Sequence, residues 1–278
     1  MQPTAKNLIL ELLMASRDTP VSAREAVVAG KLFDISENNI RVALVRLSAA
    51  SLVEASGRGA YQLGAGGQDL AREVQSWRTA EQRVREDWDG SYVVVHGGLP
   101  ARVDRAAVQR VNRAFHLLGF GELERGLHVR PDNLAGGVNA LMERMRVLGL
   151  SSDCAVFVAH EFDVPTQARV QSLWDSGALN ASYRRIRDQL DAWLERSGDL
   201  EPDVAARECF LLGRRAIRQV VFDPFLPHPL VDVQLRRDFI QAVQRFDREG
   251  HVLWQRFFEA SLGASAAVTA TRIQYTTH

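Results

Sequence analysis

The sequence predicts an α+β fold in which a helical segment with a short hairpin precedes a mixed segment and a second helical segment. Residues 1–66 contain three short amphipathic helical patterns and an alternating hairpin pattern. Residues 88–165 alternate between strand and helix patterns, and residues 166–278 return to helix. Because the chain has 278 residues and 46% hydrophobic content, it can form more than one core.

The first segment, residues 1–66, has the element order of a winged helix-turn-helix. Apolar spacing predicts helices over residues 4–16, about 22–32 and 36–51. The stretch LVEASGRGAYQLG follows, and its alternation around a Gly-Arg-Gly turn indicates a β-hairpin with Arg58 at the tip. This order predicts a DNA-binding domain whose third helix enters the major groove, with Arg58 reaching a phosphate or the minor groove.

The predicted third helix, within ISENNIRVALVRLSAASL, has two distinct faces. At 100° per residue its buried stripe comprises Ile40, Ala43, Leu44 and Leu47. Its opposite face combines amides, arginines and small apolar groups, which match the donors, acceptors and thymine methyls of the major groove. With the predicted N-cap and the hairpin tip, the predicted DNA-binding residues are Ser36, Asn38, Asn39, Arg41, Val42, Val45, Arg46 and Arg58. The alternative is a helix that packs both faces against protein.

A glycine-rich break, Gly64 to Gly67, separates this domain from a predicted linker helix over residues 67–87. The break is predicted to act as a hinge. The next segment, residues 88–165, has the order βαββαβ, which is typical of the ferredoxin-like fold. Its two continuous apolar runs, Tyr92 to Val95 and Ala155 to Ala159, are expected to be central strands. We expect this segment to be the central and dimerisation domain, because a second subunit or a helix must cover the open face of so small a sheet.

The last segment, residues 166–278, is expected to be a helical effector domain. Helices are predicted at about 167–196, 203–221 and 234–262, with the proline-rich turn DPFLPHPL between the last two and a frayed tail from Gly263. Its arginine clusters are suited to binding the anionic groups of a ligand, and aromatic side chains lie near them in the sequence. The candidate effector-binding residues are Arg184, Arg185, Arg214, Arg218, Trp174 and Tyr183. The alternative is a solvated face on which these arginines pair with neighbouring acidic residues.

Charge and cysteine content limit the classes of partner. Acidic and basic residues balance at 34 each, so DNA binding requires a local patch and dimerisation rather than a basic surface over the whole chain. Neither Cys154 nor Cys209 has the spacing of a zinc site, and both are expected to be reduced. The sequence has no signal peptide and no apolar run long enough to span a bilayer, so a cytoplasmic protein without a membrane partner is expected.

The sequence contains little that supports an enzymatic function. The sequence HEFD at 160–163 lacks the spacing of a zinc protease, and no nucleophile elbow or glycine-rich phosphate loop is present. A metal-dependent nuclease needs a carboxylate at the end of the first strand of the βαββαβ segment, but that strand ends Val95-His96-Gly97-Gly98. No catalytic residue, metal or cofactor is therefore expected.

Four stretches resemble the PaaX family of bacterial repressors of phenylacetic acid degradation genes. They are LFDISENNIRVALVRLSAASLVE at 32–54, WDGSYVVV at 88–95, LGFGELERGLHVRPDNL at 118–134 and RRAIRQVVFDPFLPHPL at 214–230. The resemblance implies a winged-helix domain, a ferredoxin-like central domain similar to that of CRISPR adaptation nucleases, and a helical C-terminal domain. It further implies a homodimer that leaves operator DNA when an aryl-acyl-CoA, typically phenylacetyl-CoA, binds. Under this resemblance the C-terminal arginine clusters would bind the phosphates of the coenzyme A, and the aromatic side chains would contact its acyl group.

Overall fold

A computed structural model describes residues 2–16, 19–68, 75–97, 105–150 and 154–274, with the backbone alone at 105–106 and 264–274. The helices are α1 Ala5–Ala15, α2 Ala23–Lys31, α3 Glu37–Ala49, α4 Arg105–Leu117, α5 Gly137–Val147, α6 Val164–Gln171, α7 Ser176–Arg196, α8 Pro202–Val221 and α9 Val233–Gln274. The strands are β1 Val21–Ser22, β2 Val53–Ala55, β3 Ala60–Leu63, β4 Tyr92–His96, β5 Gly121–Glu124, β6 Leu127–Pro131 and β7 Ala155–Ala159. The chain thus mixes helices with two small antiparallel sheets, as the α+β prediction requires.

The N-terminal elements form three helices and a sheet of order β1-β3-β2. Ser22 begins α2 with a reciprocal capping box, in which the Ser22 side chain and Glu25 each accept a hydrogen bond from the other residue's backbone. Leu8, Leu12 and Ile40 belong to one buried cluster, because α1 and α3 each direct an apolar stripe inward. The hairpin register places Val53 opposite Leu63. The predicted helices and hairpin of this segment are therefore confirmed.

The second sheet has the order β5-β6-β4-β7, and every neighbouring pair in it is antiparallel. The element order β4-α4-β5-β6-α5-β7 is the one predicted from the sequence. Strand β4 is central, with Val93 and Val95 buried on the face that packs against α4 and α5 and Tyr92 buried on the other. The prediction that both apolar strands are central is wrong for β7, which pairs with β4 alone and forms an edge of the sheet within the described residues.

The glycine-rich break is packed against the turn that follows α3. A Cβ atom on Gly64 would lie 2.6 Å from the carbonyl oxygen of Ser51, and one on Gly67 would lie 3.0 Å from that of Leu52. Backbone bonds reinforce the contact, since the Gly64 amide donates to Leu52 and the Gly66 amide donates to Ser51, both at 2.9 Å. These glycines permit close backbone approach, so the structure gives them a packing role in place of the predicted hinge.

The predicted linker helix agrees with the structure at residues 67, 68 and 75, which are helical, and differs from it after residue 75. Residues 69–74 lie outside the described residues, and Ser76–Arg83 forms a 3-10 helix that ends at a bridge between Val84 and Leu134. The predicted helix over 167–196 is divided into α6 and α7. Asp175 accounts for the division, because its carboxylate accepts a hydrogen bond from the Ala178 amide at 2.8 Å and starts a new helix. Helix α9 continues to Gln274, beyond its predicted end near 262.

Buried polar groups hold the proline-rich turn against β6 and the preceding loop. Asn133 is fully buried and donates to the carbonyl oxygen of Phe225 at 2.7 Å. Gly119 approaches Pro224 so closely that a Cβ atom there would lie 2.9 Å from its Cα. The buried Arg236 donates to the carbonyl oxygen of Leu226. The stretches at 118–134 and 214–230 that carry the family resemblance therefore meet through structural contacts.

Contacts divide the chain into two compact units that are each discontinuous in sequence. The first unit comprises Met1–Gln75, Leu190–Arg215 and Gln244–His278, and the second comprises Ser76–Gln189 and Ala216–Val243. The domain bounds predicted from sequence, 1–66, 67–87, 88–165 and 166–278, remain predictions. Among the described residues, no helix is both long and apolar enough to cross a membrane.

Candidate nucleic-acid interface

Helix α3 begins at a well-formed N-cap. Ser36 has an extended backbone, and its side chain accepts a hydrogen bond from the Asn39 amide at 3.3 Å. Ile40, Leu44 and Leu47 are at most 3% exposed and attach the helix to the N-terminal core. Helices α2 and α3 approach closely at Gly30, where a Cβ atom would lie 3.0 Å from Cγ1 of Ile40. The start and orientation of the helix are fixed by these contacts.

The opposite face of α3 is open to solvent. Val45 is 70% exposed and Val42 is 39% exposed, although both are apolar. The other exposed members of this face are Asn38, Asn39, Arg41 and Arg46. We call these six side chains the outer face of α3. Because no element among the described residues covers the outer face, the alternative of a helix packed on both sides is not supported.

Arg41 on the outer face is paired, a feature that the sequence analysis missed. Its guanidinium contacts the Glu37 carboxylate one turn earlier, with Nη2 to Oε1 at 2.6 Å and Nε to Oε1 at 2.8 Å. The i,i+4 spacing of Glu37 and Arg41 on a helix could have predicted this ion pair. An ion pair this exposed contributes little stability. Within the described part of the chain, Arg46 forms no such ion pair.

The hairpin places Arg58 at an exposed tip. The Ser56 amide donates to the Ala60 carbonyl at 2.9 Å and closes the loop. Gly57 and Gly59 both have positive φ, 94° and 76°, so the tight turn depends on them. Arg58 is exposed, as predicted for a hairpin tip.

The turn before α3 contacts the C-terminal helices within the first compact unit. Phe33, in the turn between α2 and α3, packs on Phe210 of α8 with ring centroids 5.0 Å apart. Phe210 in turn contacts Trp254 of α9 at 6.1 Å. A second link joins Arg214 of α8 to Glu11 of α1, with Nε to Oε1 at 2.9 Å. Burial raises the pKa of Glu11, and the Arg214 guanidinium opposes that shift.

The candidate effector residues do not form one described site. Arg184 and Arg185 are exposed on α7, and Arg218 is exposed with its guanidinium 5.3 Å from the Phe222 ring. Trp174 is half-buried against apolar clusters. Arg214 forms an ion pair with Glu11. The two residues are far apart in the sequence, so the sequence alone did not predict this pair.

Tyr183 was predicted to bind the effector, but the structure buries it in the core. Its side chain is fully buried and its hydroxyl donates to the Asp223 carboxylate at 2.6 Å. Burial raises the pKa of Asp223 to about 6, while the nearby Arg236 lowers it. A residue enclosed in this way has no free surface for a ligand, so Tyr183 is a core residue of the second unit. Its helical spacing on an apolar stripe was compatible with either role.

Comparison with known proteins identifies the C-terminal region. Residues 174–256 match the family described as PaaX-like protein C-terminal domain. The chain has a PaaX-like C-terminal domain. The family resemblance predicted from the sequence is confirmed through this PaaX-like domain, which contains all six candidate effector residues.

Other comparisons address the fold alone. The uncharacterized protein Rv0674 from Mycobacterium tuberculosis is a similar solved structure, with a TM-score of 0.61 and 21% identity over 91% of this chain and 98% of that one. No curated protein matches the chain. The similarity to this solved structure concerns the fold alone.

Proposed function

We propose that this chain is a PaaX-type transcriptional regulator that binds operator DNA through a winged helix-turn-helix at residues 1–66. The observation that carries the proposal is the outer face of α3, where Val42 and Val45 are exposed beside two amides and two arginines. Apolar side chains exposed on a rigidly held helix indicate a partner surface. The PaaX-like C-terminal domain supports the regulator class.

The proposed architecture has three parts. The three helices and the β1-β3-β2 sheet support a winged helix, with the β2–β3 hairpin as the wing. The strand order β5-β6-β4-β7 with two helices supports a ferredoxin-like central domain. Helices α6 to α9 make up the helical effector domain.

In this proposal the outer face of α3 lies in the major groove. Asn38 and Asn39 are in the first turn, which is nearest the base edges in helix-turn-helix proteins. Val42 and Val45 contact thymine methyl groups, and Arg46 binds a guanine or a phosphate. Arg41 exchanges the Glu37 carboxylate for a DNA phosphate on binding. Arg58 of the wing binds a phosphate or enters the minor groove.

The effector in this proposal is an aryl-acyl-CoA such as phenylacetyl-CoA. The exposed Arg184, Arg185 and Arg218 are the remaining candidates for its phosphates, with Trp174 for its acyl ring. A ligand that binds better to the form of the dimer with low DNA affinity releases the operator by shifting the population. The second candidate is a DNA-binding regulator without an effector, which the burial of Tyr183 and the pairing of Arg214 favour.

The test of the proposal is a titrated gel-shift assay on the DNA upstream of the protein's own gene. Val45→Asp places a carboxylate on the outer face without touching the core, so operator affinity is expected to fall roughly tenfold or more through repulsion by phosphates. The matched control is Val204→Asp on α8, which changes a valine that is 41% exposed elsewhere. Equal operator affinity for Val45→Asp and the wild-type protein, with circular dichroism showing both folded, would contradict the proposal.

A further inference from the structure

The outer edge of β7 is an apolar strand without a described partner. Strand β7 pairs with β4 on one side, and no other described strand pairs with it. Phe157 is 47% exposed and Val158 is 36% exposed. The register places Phe157 opposite Val94 and Val158 opposite Val93, so the two exposed side chains lie on opposite faces of the sheet.

The other edge of the same sheet is protected. Strand β5 reads Gly-Glu-Leu-Glu, and its pairing with β6 is shifted by an irregularity between Glu122 and Glu124. Glu124 also forms an ion pair with Arg169 of α6 at 3.1 Å. Charges and bulges of this kind prevent edge-to-edge pairing. Strand β7 contains no charge, no proline and no register shift, so these protections are absent from it.

The sequence of β7 is a palindrome, Ala155-Val156-Phe157-Val158-Ala159. An antiparallel pair of two identical strands related by a two-fold axis at residue 157 would place Phe157 against Phe157. It would also place Val156 against Val158 and Ala155 against Ala159. Every cross-strand pair would be apolar and no like charges would meet, which is the condition for a stable self-pairing. Because of this symmetry, a second copy of the same strand is a complementary partner for it.

We propose that β7 pairs antiparallel with β7 of a second copy, so that the two sheets of the dimer form one continuous sheet. This inference rests on the proposed function to the extent that a helix-turn-helix regulator uses two copies for two half-sites. Its evidence is independent of the DNA-binding residues. Backbone hydrogen bonds provide the association, and the exposed Phe157 and Val158 become covered on the two faces.

Charge at position 157 tests the two-fold pairing. Phe157→Lys and Phe157→Glu each place like charges against each other at the axis, so light scattering of the full-length chain should show a monomer for each variant. An equimolar mixture places Lys opposite Glu and should restore the dimer mass. The control Val164→Lys, at a valine that is 84% exposed on α6, should remain dimeric. A monomeric wild-type protein, or a dimeric Phe157→Lys variant, overturns the proposal.

A cysteine variant covers the case in which the charged variants do not fold. Directly opposed residues in an antiparallel pair have Cα atoms about 4.5–5.5 Å apart, within the range of a disulfide. Phe157→Cys in a Cys154→Ser background should therefore form a cross-linked dimer on mild oxidation, and Val164→Cys in the same background should not. Equal cross-linking of both variants overturns the proposal. The mass and cross-linking measurements contain no DNA, so a failure of the β7 pairing would not change the interpretation of the Val45→Asp gel shift. Likewise, a failure of the Val45→Asp test would not affect the β7 pairing.

Discussion

His128 is a buried imidazole whose hydrogen bonds are incomplete. It is 4% exposed, its ring stacks on Phe115 with centroids 3.8 Å apart, and its Nδ1 atom has no hydrogen-bond partner among the residues that the structure describes. Burial lowers the pKa of His128 below the usual value, and the Glu122 carboxylate opposes this shift. The charged imidazolium is therefore more stable in the unfolded chain than in the folded one.

This histidine predicts a loss of stability in acid. Because the folded pKa is lower than the unfolded one, the unfolded chain binds a proton first as pH falls through about 6.5. The free energy of unfolding, measured by urea denaturation, should then decrease between pH 7 and pH 5. His128→Leu should make that decrease smaller, by about 1.4 kcal/mol for each unit of pKa shift removed.

Asp223 acts in the opposite direction. Burial raises its pKa to about 6, so its contribution to stability is present in acid and is lost as pH rises towards 6. Both proteins contain Asp223, so its contribution cancels when the free energy of unfolding of His128→Leu is subtracted from that of the wild-type protein at each pH. The same pH slope in both proteins would show that the His128 pKa is not lowered in solution.

At the residue scale, sequence reasoning succeeded where geometry is local. Helical periodicity correctly assigned Ile40 and Leu44 to the core and Val45 to the surface, because each position is fixed by a 100° step. It failed where a contact joins distant parts of the chain. Arg214 pairs with Glu11, about 200 residues earlier, and no periodic pattern specifies such a partner.

At the scale of elements, the glycine-rich break predicts a sensitive position. Gly64→Ala would bring a Cβ atom to 2.6 Å from the Ser51 carbonyl oxygen, and Ser51 itself has a positive φ of 55°. Because backbone must move to relieve the overlap, we expect a loss of about 1–3 kcal/mol in the free energy of unfolding. Gly198→Ala is the control, since a Cβ atom there meets nothing within 4 Å, and it should change stability by less than about 0.5 kcal/mol. Equal values for the two variants in urea denaturation would refute the packing role.

The helices and strands were largely predictable from the sequence. The position of a strand within its sheet and the interruption of a helix were not. Alternation and apolar runs located β4 and β7, since both patterns are local. An apolar run does not specify whether a strand is central, however, and β7 is an edge strand with Phe157 exposed. The break between α6 and α7 was missed because the capping role of Asp175 competes with a helical pattern that continues on both sides of it.

At the scale of the whole molecule, the turn before α3 is attached to the C-terminal helices. The Phe33–Phe210 contact and the Glu11–Arg214 pair both join the N-terminal elements to α8 within the first compact unit. Helix α8 contributes residues to both units, since the division falls between Arg215 and Ala216. In the proposed regulator, a displacement of α8 would be passed to the N-terminal elements through these two contacts.

Glu11→Gln tests this coupling without changing any candidate effector residue. The amide cannot form the ion pair, so phenylacetyl-CoA should release less operator DNA from the variant than from the wild-type protein in a gel-shift titration. Calorimetry should give the same affinity for phenylacetyl-CoA in both proteins. Glu143→Gln, which removes an exposed ion pair with Arg146, should leave operator release unchanged. If Arg214 were instead a ligand contact freed by the substitution, affinity for phenylacetyl-CoA would rise.

The acidic, irregular edge at β5 has a consequence for how far association can proceed. In a dimer joined at β7, the two β7 edges pair with each other at the centre of the joined sheet. The two outer edges are then copies of β5, which carries Glu122 and Glu124. Neither end accepts another strand, because charge and the irregular register oppose it. Growth therefore stops at two chains, and a strand with the composition of an aggregation site is limited to a closed, countable assembly.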